Sequence, residues 1–322
     1  MNPLLEVNNL KVYYSTLKGE VKAIDGVSFN LHEGEVLGIA GESGCGKSTL
    51  VNFFVFPYEP MHYAGGSVKL RGMELTNLAD KDMNKILYKK ISIIPQYALD
   101  ALSPTKKIKR IITDFLAEHG YQYDAKKVEE RLEMVNLDKS VLNRYPVELS
   151  GGMKQRVVMV ISTLLDPDIL IADEVTSALD VSSQKFVIQM LEKFMHEGIV
   201  KSIMFITHDI SVLYQIANRI MILYAGHVAE IGPTDEIIKN PKHPYTKALI
   251  DSLPKMNIKF EEQRLKSIPG HPPMLLNPPS GCRFADRCPV AIDKCRKAVP
   301  QEKRIGENHS IYCWNAGDDL ND

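Results

Sequence analysis

The chain has 322 residues, 44% apolar and 25% charged, enough for a full α/β core with one appended unit. A formal net charge of −1 gives no electrostatic reason to expect nucleic acid as a partner. The start, MNPLLEVNNL, has neither the basic residues and apolar run of a secretion signal nor a myristoylation pattern, and no window holds the roughly 18 apolar residues a membrane-spanning helix needs. Any membrane role is expected to come through partner chains.

In chain order, LLEVNNLKVYY, VKAIDGVSFNL and EVLGIAG read as short strands separated by glycine and charged turns. A helix is predicted from about Gly46 to just before Pro57, and SVKLRG (67–72) and ISIIP (91–95) are predicted strands. From 105 to 165 the pattern changes. KKIKRIITDFLAEHG, YDAKKVEERLEMVNL and GMKQRVVMVISTLLD carry apolar residues at helical spacing, which predicts a helical insertion and then a core helix. Strand and helix alternate again through DILIADE, SSQKFVIQMLEKFMHEG, KSIMFITH, ISVLYQIANR and IMILYAG, the pattern of a mainly parallel sheet covered by helices. After HPYTKALIDSLP the proline-rich stretch at 269–279 is expected to be irregular.

Gly41, Glu42, Ser43, Gly44, Cys45, Gly46, Lys47 and Ser48 fit G-x-x-x-x-G-K-[ST], after an apolar strand and at the start of a helix. Glycines at these points let successive N–H groups turn inward around a phosphate, and the helix N-terminus, through Ser48 and Thr49, adds partial positive charge. Lys47 is expected to reach the β- and γ-phosphates, and the Ser48 hydroxyl to ligate Mg²⁺. Cys45 reads as a small bystander within the loop. A glycine-rich turn that binds nothing is the plainer alternative, and the strand–loop–helix order disfavours it. Downstream, the apolar run Ile169, Leu170, Ile171, Ala172 ends in Asp173 and Glu174, where an open α/β sheet places its ligands. Asp173 suits the Mg²⁺ shell, and Glu174 suits the general base that polarises the attacking water.

Between these elements stands Leu149-Ser150-Gly151-Gly152-Met153-Lys154-Gln155-Arg156. With it the sequence resembles the ABC ATPases, whose signature loop is LSGGQ or a close variant; Met153 replaces the commoner glutamine. The resemblance implies a P-loop ABC nucleotide-binding fold: a RecA-like core, an antiparallel β subdomain and a helical subdomain at about 98–155, within an ATPase domain at 1–240. It implies that Gln96 contacts Mg²⁺ and water, that Ser177, Ala178, Leu179 and Asp180 cross a dimer interface, and that His208 contacts the γ-phosphate. Tyr14, with Tyr13 as runner-up, is implied to stack on adenine. Val175 departs from the family's usual proline after the glutamate. ABC proteins close two cassettes head to tail, so Ser150, Gly151 and Gly152 are implied to touch the ATP of a partner subunit.

Four of the five cysteines, Cys282, Cys288, Cys295 and Cys313, crowd the last segment. Four thiolates satisfy either a zinc site or a [4Fe–4S] cluster, and the lack of a C-x₂₋₄-C pair argues mildly against zinc; unconnected cysteines are the plain alternative. HPYTKALIDSLP, SIPGHPP and PSGCRFADRCP resemble the C-terminal extension of the oligopeptide/dipeptide ABC importer ATPases, which implies an extension at 241–322 with these four cysteines holding [4Fe–4S] in a structural role. The family also implies a second ATPase subunit, two permeases, an extracytoplasmic solute-binding protein and a place on the cytoplasmic face of the membrane. Peptides are the first expectation for cargo, with oligosaccharides or nickel as alternatives. A non-transport ABC ATPase, or a metal-sensing one, is the rival reading; the short interval from Ser48 to Leu149 leaves no room for long coiled coils.

Overall fold

The computed structural model describes residues 3–55, 58–76, 78, 80–96, 101–177, 179–252 and 268–315. The alternating pattern at the start yields β1 (Leu5–Thr16) and β2 (Gly19–Leu31), antiparallel, with Leu5 opposite Leu31 and Thr16 opposite Gly19. Leu10, Val12, Ile24 and Leu31 are buried on this ladder. β3 (Val36–Ala40) is buried at all five positions, the continuous apolar run of a strand covered on both faces. α1 (Lys47–Val55) follows the glycine loop. β4 (Met61–Leu70) returns to β1, Leu70 opposite Leu5, and β5 (Met73–Glu74) pairs with it. β4 starts well before SVKLRG because Gly65 and Gly66 lie in it, where the β1 register shifts between Asn8 and Lys11. A glycine pair gives no apolar signal to count.

Residues 77–207 cluster as one compact unit, and residues 1–76 with 208–322 as another. The 77–207 unit runs α2 (Asp80–Ile86), β6 (Ile91–Ile94), α3 (Ile108–Glu118), α4 (Ala125–Met134), α5 (Gly151–Thr163), β7 (Ile169–Asp173), α6 (Val181–His196) and β8 (Ser202–Ile206). Its three strands are parallel, with β7 central: Ile94 lies opposite Ala172 and Asp173 opposite Ile206. α3 buries Ile108, Ile112 and Leu116 at helical spacing, and Asp124 caps α4 by accepting from the N–H groups of Lys126 and Lys127. The Ser162 hydroxyl donates to the Ile93 carbonyl at 2.6 Å, docking α5 on β6.

The other unit resumes with α7 (Ile210–Ile216) and β9 (Arg219–Tyr224), which lies parallel to β3 with Ala40 opposite Ile222. β10 (His227–Pro233) is antiparallel to β9 and is followed by α8 (Thr234–Lys239) and α9 (Pro244–Asp251). After α10 (Asp293–Lys297), β11 (Lys303–Gly306) and β12 (His309–Ile311) form a hairpin whose second strand pairs with β10, Ile311 opposite Glu230. The sequence reading assigns neither β10 nor the strands of the cysteine segment. β10 is masked by Glu230, an acid in an apolar strand, and it is fully buried. Its carboxylate accepts from the N–H groups of Lys242 (3.0 Å) and His243 (2.9 Å) and lies 2.8 Å from His309 Nε2. Burial opposes the charge, yet His309 and these N–H groups hold its pKa below the usual range.

Candidate nucleotide site

The loop between β3 and α1 has left-handed backbone at Gly41 (φ +151°), Gly44 (+78°) and Gly46 (+110°). A Cβ on Gly41 would stand 2.1 Å from the Leu223 carbonyl oxygen, and one on Gly46 2.5 Å from that of Ala23, so neither site admits a side chain. Lys47 is buried at the start of α1 and donates through Nζ to the carbonyls of Gly41 (2.7 Å) and Glu42 (3.2 Å). Its charge is thus held against two carbonyls of its own loop. Ser43, Gly44 and Ser48 are exposed, while Thr49 is buried with Oγ1 3.1 Å from the Tyr14 hydroxyl. Burial raises the Cys45 thiol pKa, against the opposing pull of Lys47. Tyr14 is half-buried beside the loop helix; Tyr13 is buried, its hydroxyl donating to Asp25 Oδ1 at 2.6 Å. His208 is exposed, just before Asp209, which caps α7 through Ser211 N–H.

Within residues 77–207, Asp173 ends β7, buried, and Glu174 follows with φ +51°. A left-handed backbone on a glutamate costs free energy and turns its side chain away from the direction of the strand. Its N–H donates to the Ile206 carbonyl (2.9 Å), its carbonyl accepts from the Ser177 N–H (3.0 Å), and its carboxylate accepts from the Ser177 hydroxyl. Val175 is buried, and its carbonyl accepts from Gln155 Nε2 at 2.6 Å. Gln155 lies on α5, whose N-cap is Ser150, accepting from Met153 N–H at 3.3 Å. One buried bond therefore joins the carboxylate loop to the signature helix, a role for Gln155 that the motif alone did not suggest. Ser150, Gly151 and Gly152 are exposed, as are Gln96, just after β6, and Asp180. Asp180 caps α6 by accepting from the Ser183 N–H (3.0 Å) and hydroxyl (2.9 Å); Ala178 lies outside the described residues.

The cysteine segment meets the phosphate loop through residues the sequence reading passed over. Arg287 donates to both carboxylate oxygens of Glu42, at 2.7 and 3.0 Å, and Arg283 donates to Asp25 Oδ2 at 2.5 Å and to the Ala225 carbonyl. Tyr245, on α9, accepts from the Glu42 N–H at 2.9 Å. The signal lay in GCRFADRCP itself, where Arg283 precedes and Arg287 ends the short helical turn between Cys282 and Cys288. Cys282 N–H donates to the Cys295 carbonyl at 2.7 Å. Burial pushes the Cys282 thiol up to about 11, with Cys295, Cys313 and Cys288 adding to the shift, and it raises Cys288 and Cys313 as well. Among the described residues no group of three or more His, Cys, Asp or Glu is arranged to hold a single metal ion.

Known proteins resemble this chain. The family "ABC transporter" matches residues 24–177, and "Oligopeptide/dipeptide transporter, C-terminal region" matches 229–295. The dipeptide transport ATP-binding protein DppD of Caldanaerobacter subterraneus is 40% identical over 319 residues, 97% of each chain. The oligopeptide transport ATP-binding protein OppD of Bacillus subtilis is 38% identical over 318 residues, 97% of this chain and 88% of that one. Among solved structures, the dimeric cassette MJ0796, also seen in a post-hydrolysis state bound to ADP and Pi, aligns with 71% of this chain and 98% of its own at 27% identity and a TM-score of 0.63. By this near full-length likeness, the chain belongs to the ABC ATPases, among the ATP-binding proteins of dipeptide and oligopeptide transporters.

Proposed function

We propose that this ATPase drives the import of dipeptides or oligopeptides through partner permeases. The observation that carries the reading is 40% identity to a dipeptide transport ATP-binding protein over 97% of both chains. No described helix is long and apolar enough to cross a membrane, so the chain would sit peripherally, on the cytoplasmic face, against two permease subunits. A second cassette, a paralogue, would complete the ATP site, and an extracytoplasmic binding protein would deliver cargo.

The residue roles follow from chemistry and position. Backbone N–H groups of the 41–46 loop and of α1 would hold the phosphates, with Lys47 turned from its carbonyl partners to the γ-phosphate. Ser48, Asp173 and Gln96 would complete the Mg²⁺ shell, and Tyr14 would pack on adenine. Glu174, steadied by Ser177, would orient the attacking water, and His208 would contact the γ-phosphate. Ser150, Gly151, Gly152 and Asp180 would act on the partner's nucleotide. In this division residues 1–240 are the ATPase body, with an arm at about 98–155, and 241–322 carry the cysteines.

We assign Cys282, Cys288, Cys295 and Cys313 to a [4Fe–4S] cluster. Thiols that raise one another's pKa are poor thiolates alone and suit a shared cationic centre. Zinc would need thiolates about 3.8 Å apart around one ion, whereas a four-iron cluster spreads them more widely. When bound, the cluster would cross-link the turn, a structural role. Iron and sulfide in the protein purified without air support this; stoichiometric zinc overturns it.

The test of function is the reconstituted transporter carrying Glu174→Gln. Phosphate release and peptide uptake should fall together by roughly 10²–10⁴-fold, the range for loss of a general base. Uptake of a sugar or a metal ion but of no peptide by the native transporter would refute the cargo assignment.

A further inference from the structure

Glu42 is the first variable residue of the phosphate loop, and nothing in the loop's phosphate chemistry requires an acid there. Yet it is the most heavily tied residue of that loop. Its N–H is held by the Tyr245 hydroxyl at 2.9 Å, its carbonyl accepts from Lys47 Nζ at 3.2 Å and from Cys45 N–H at 3.2 Å, and its carboxylate takes both prongs of Arg287. The Arg287 side chain is 5% exposed and that of Glu42 24%, so this pair is partly shielded from water and salt. Its remaining donors are also engaged: Nε with the Pro269 carbonyl (2.8 Å), Nη1 with the Tyr224 hydroxyl (3.0 Å) and Nη2 with the Ile268 carbonyl (3.3 Å). All five N–H groups of the guanidinium fork thus find acceptors, which fixes its plane and leaves it one orientation. The far ends of these bonds lie on β9 and on the proline-rich stretch. The fork bolts the loop to two other parts of the same unit.

We infer that Arg287 is a positioning residue for ATP binding, setting the phosphate-loop backbone from the cysteine turn through its two-pronged bond to Glu42. The inference rests on the reading of 41–48 as the ATP-phosphate loop. The consequence is specific. The phosphate cradle is made of backbone N–H groups; the Gly226 N–H (2.8 Å) and the Leu50 N–H (2.9 Å) fix its far end at the Cys45 and Gly46 carbonyls, and Arg287 with Tyr245 fixes its near end at Glu42. A shift at Glu42 moves the Lys47 contact and the following N–H groups together. With Arg287 lost, nucleotide affinity falls more than the chemical step, because the loop must reorder on binding.

The experiment is a double-mutant cycle on the full-length chain, reading Mg-ATP affinity by equilibrium titration and KM against kcat in the assembled transporter. Arg287→Gln should raise Kd and KM about tenfold while changing kcat less than threefold, with iron content and unfolding midpoint near those of the native chain. Glu42→Gln should raise Kd similarly, and the pair of substitutions should cost no more than either alone. Arg287→Lys, which keeps the charge and loses the fork, should recover only part of the affinity. Unchanged affinity in both single variants, or effects that add, overturns the inference. So does a loss of affinity that merely tracks a lowered unfolding midpoint. Lys47→Ala serves as the control. If it leaves ATP binding intact, the ATP-loop reading fails; if it abolishes binding while Arg287→Gln does nothing, only the positioning role fails.

Discussion

The chain carries two glycine loops at helix N-termini, and they are built in opposite ways. In the 41–46 loop a Cβ on Gly41 or Gly46 would strike a backbone carbonyl, Lys47 is buried, and Glu42 is gripped from three sides. In the signature loop Ser150, Gly151 and Gly152 are exposed, and a Cβ on Gly152 would meet nothing within 4 Å among the described residues. The first loop is finished by its own chain. The second presents the same donors outward, which is what a loop that serves a neighbour's phosphate would need. Burial thus separates two motifs that read alike as short glycine strings.

Substitutions sharpen the contrast, and the largest effect is expected at Gly41. Gly41→Ala must displace the Leu223 carbonyl, so it should lower stability by about 3 kcal/mol or more and abolish ATP binding in titration. Gly152→Ala should do neither; it should leave single-chain ATP affinity alone, yet slow the assembled transporter by roughly 10²-fold through misplacement at the interface. Equal losses of single-chain binding in both variants would break the comparison. Gln155→Ala, which strands the buried Val175 carbonyl, should cost about 1–3 kcal/mol in chemical denaturation.

Acid gives a more selective test. His243 is buried, with a pKa lowered to about 4 by that burial, and its Nδ1 accepts from the Tyr245 N–H at 3.0 Å at the start of α9. A proton at that nitrogen removes the cap. The folded pKa lies below the unfolded 6.5, so the stabilisation is complete above pH 6.5 and is lost as pH falls towards 4, by roughly 3 kcal/mol in all. Tyr245 supports Glu42, so acid should weaken ATP binding while the N-cap of α5 stays formed. His243→Asn should flatten the pH profile of unfolding in that window. The smallest effect belongs to Ser150→Ala, about 1 kcal/mol for an exposed cap.

Most elements through residue 224, the phosphate loop, the two carboxylates and the signature could be read from the sequence, because each is a contiguous string with a local physical cause; the short β5 and α2 went unassigned. What escaped was long-range or polar. β10 hides behind Glu230, whose partners come from 242, 243 and 309, and β4 hides its start behind Gly65 and Gly66. Arg287 carries no local signal of its role, since its acceptor lies 245 positions away along the chain. The cysteine segment is distant from the phosphate loop in sequence, yet its arginine holds that loop directly.

The most direct test of the account is retention of labelled ATP by the Glu174→Gln chain, mixed with its partner cassette and magnesium and passed through a sizing column. Two cassettes sharing uncleaved ATP across the 41–48 and 149–152 loops should elute together with the triphosphate bound, and Lys47→Ala should release it. A Glu174→Gln chain that elutes alone and empty, or that hydrolyses ATP at the native rate, would contradict it.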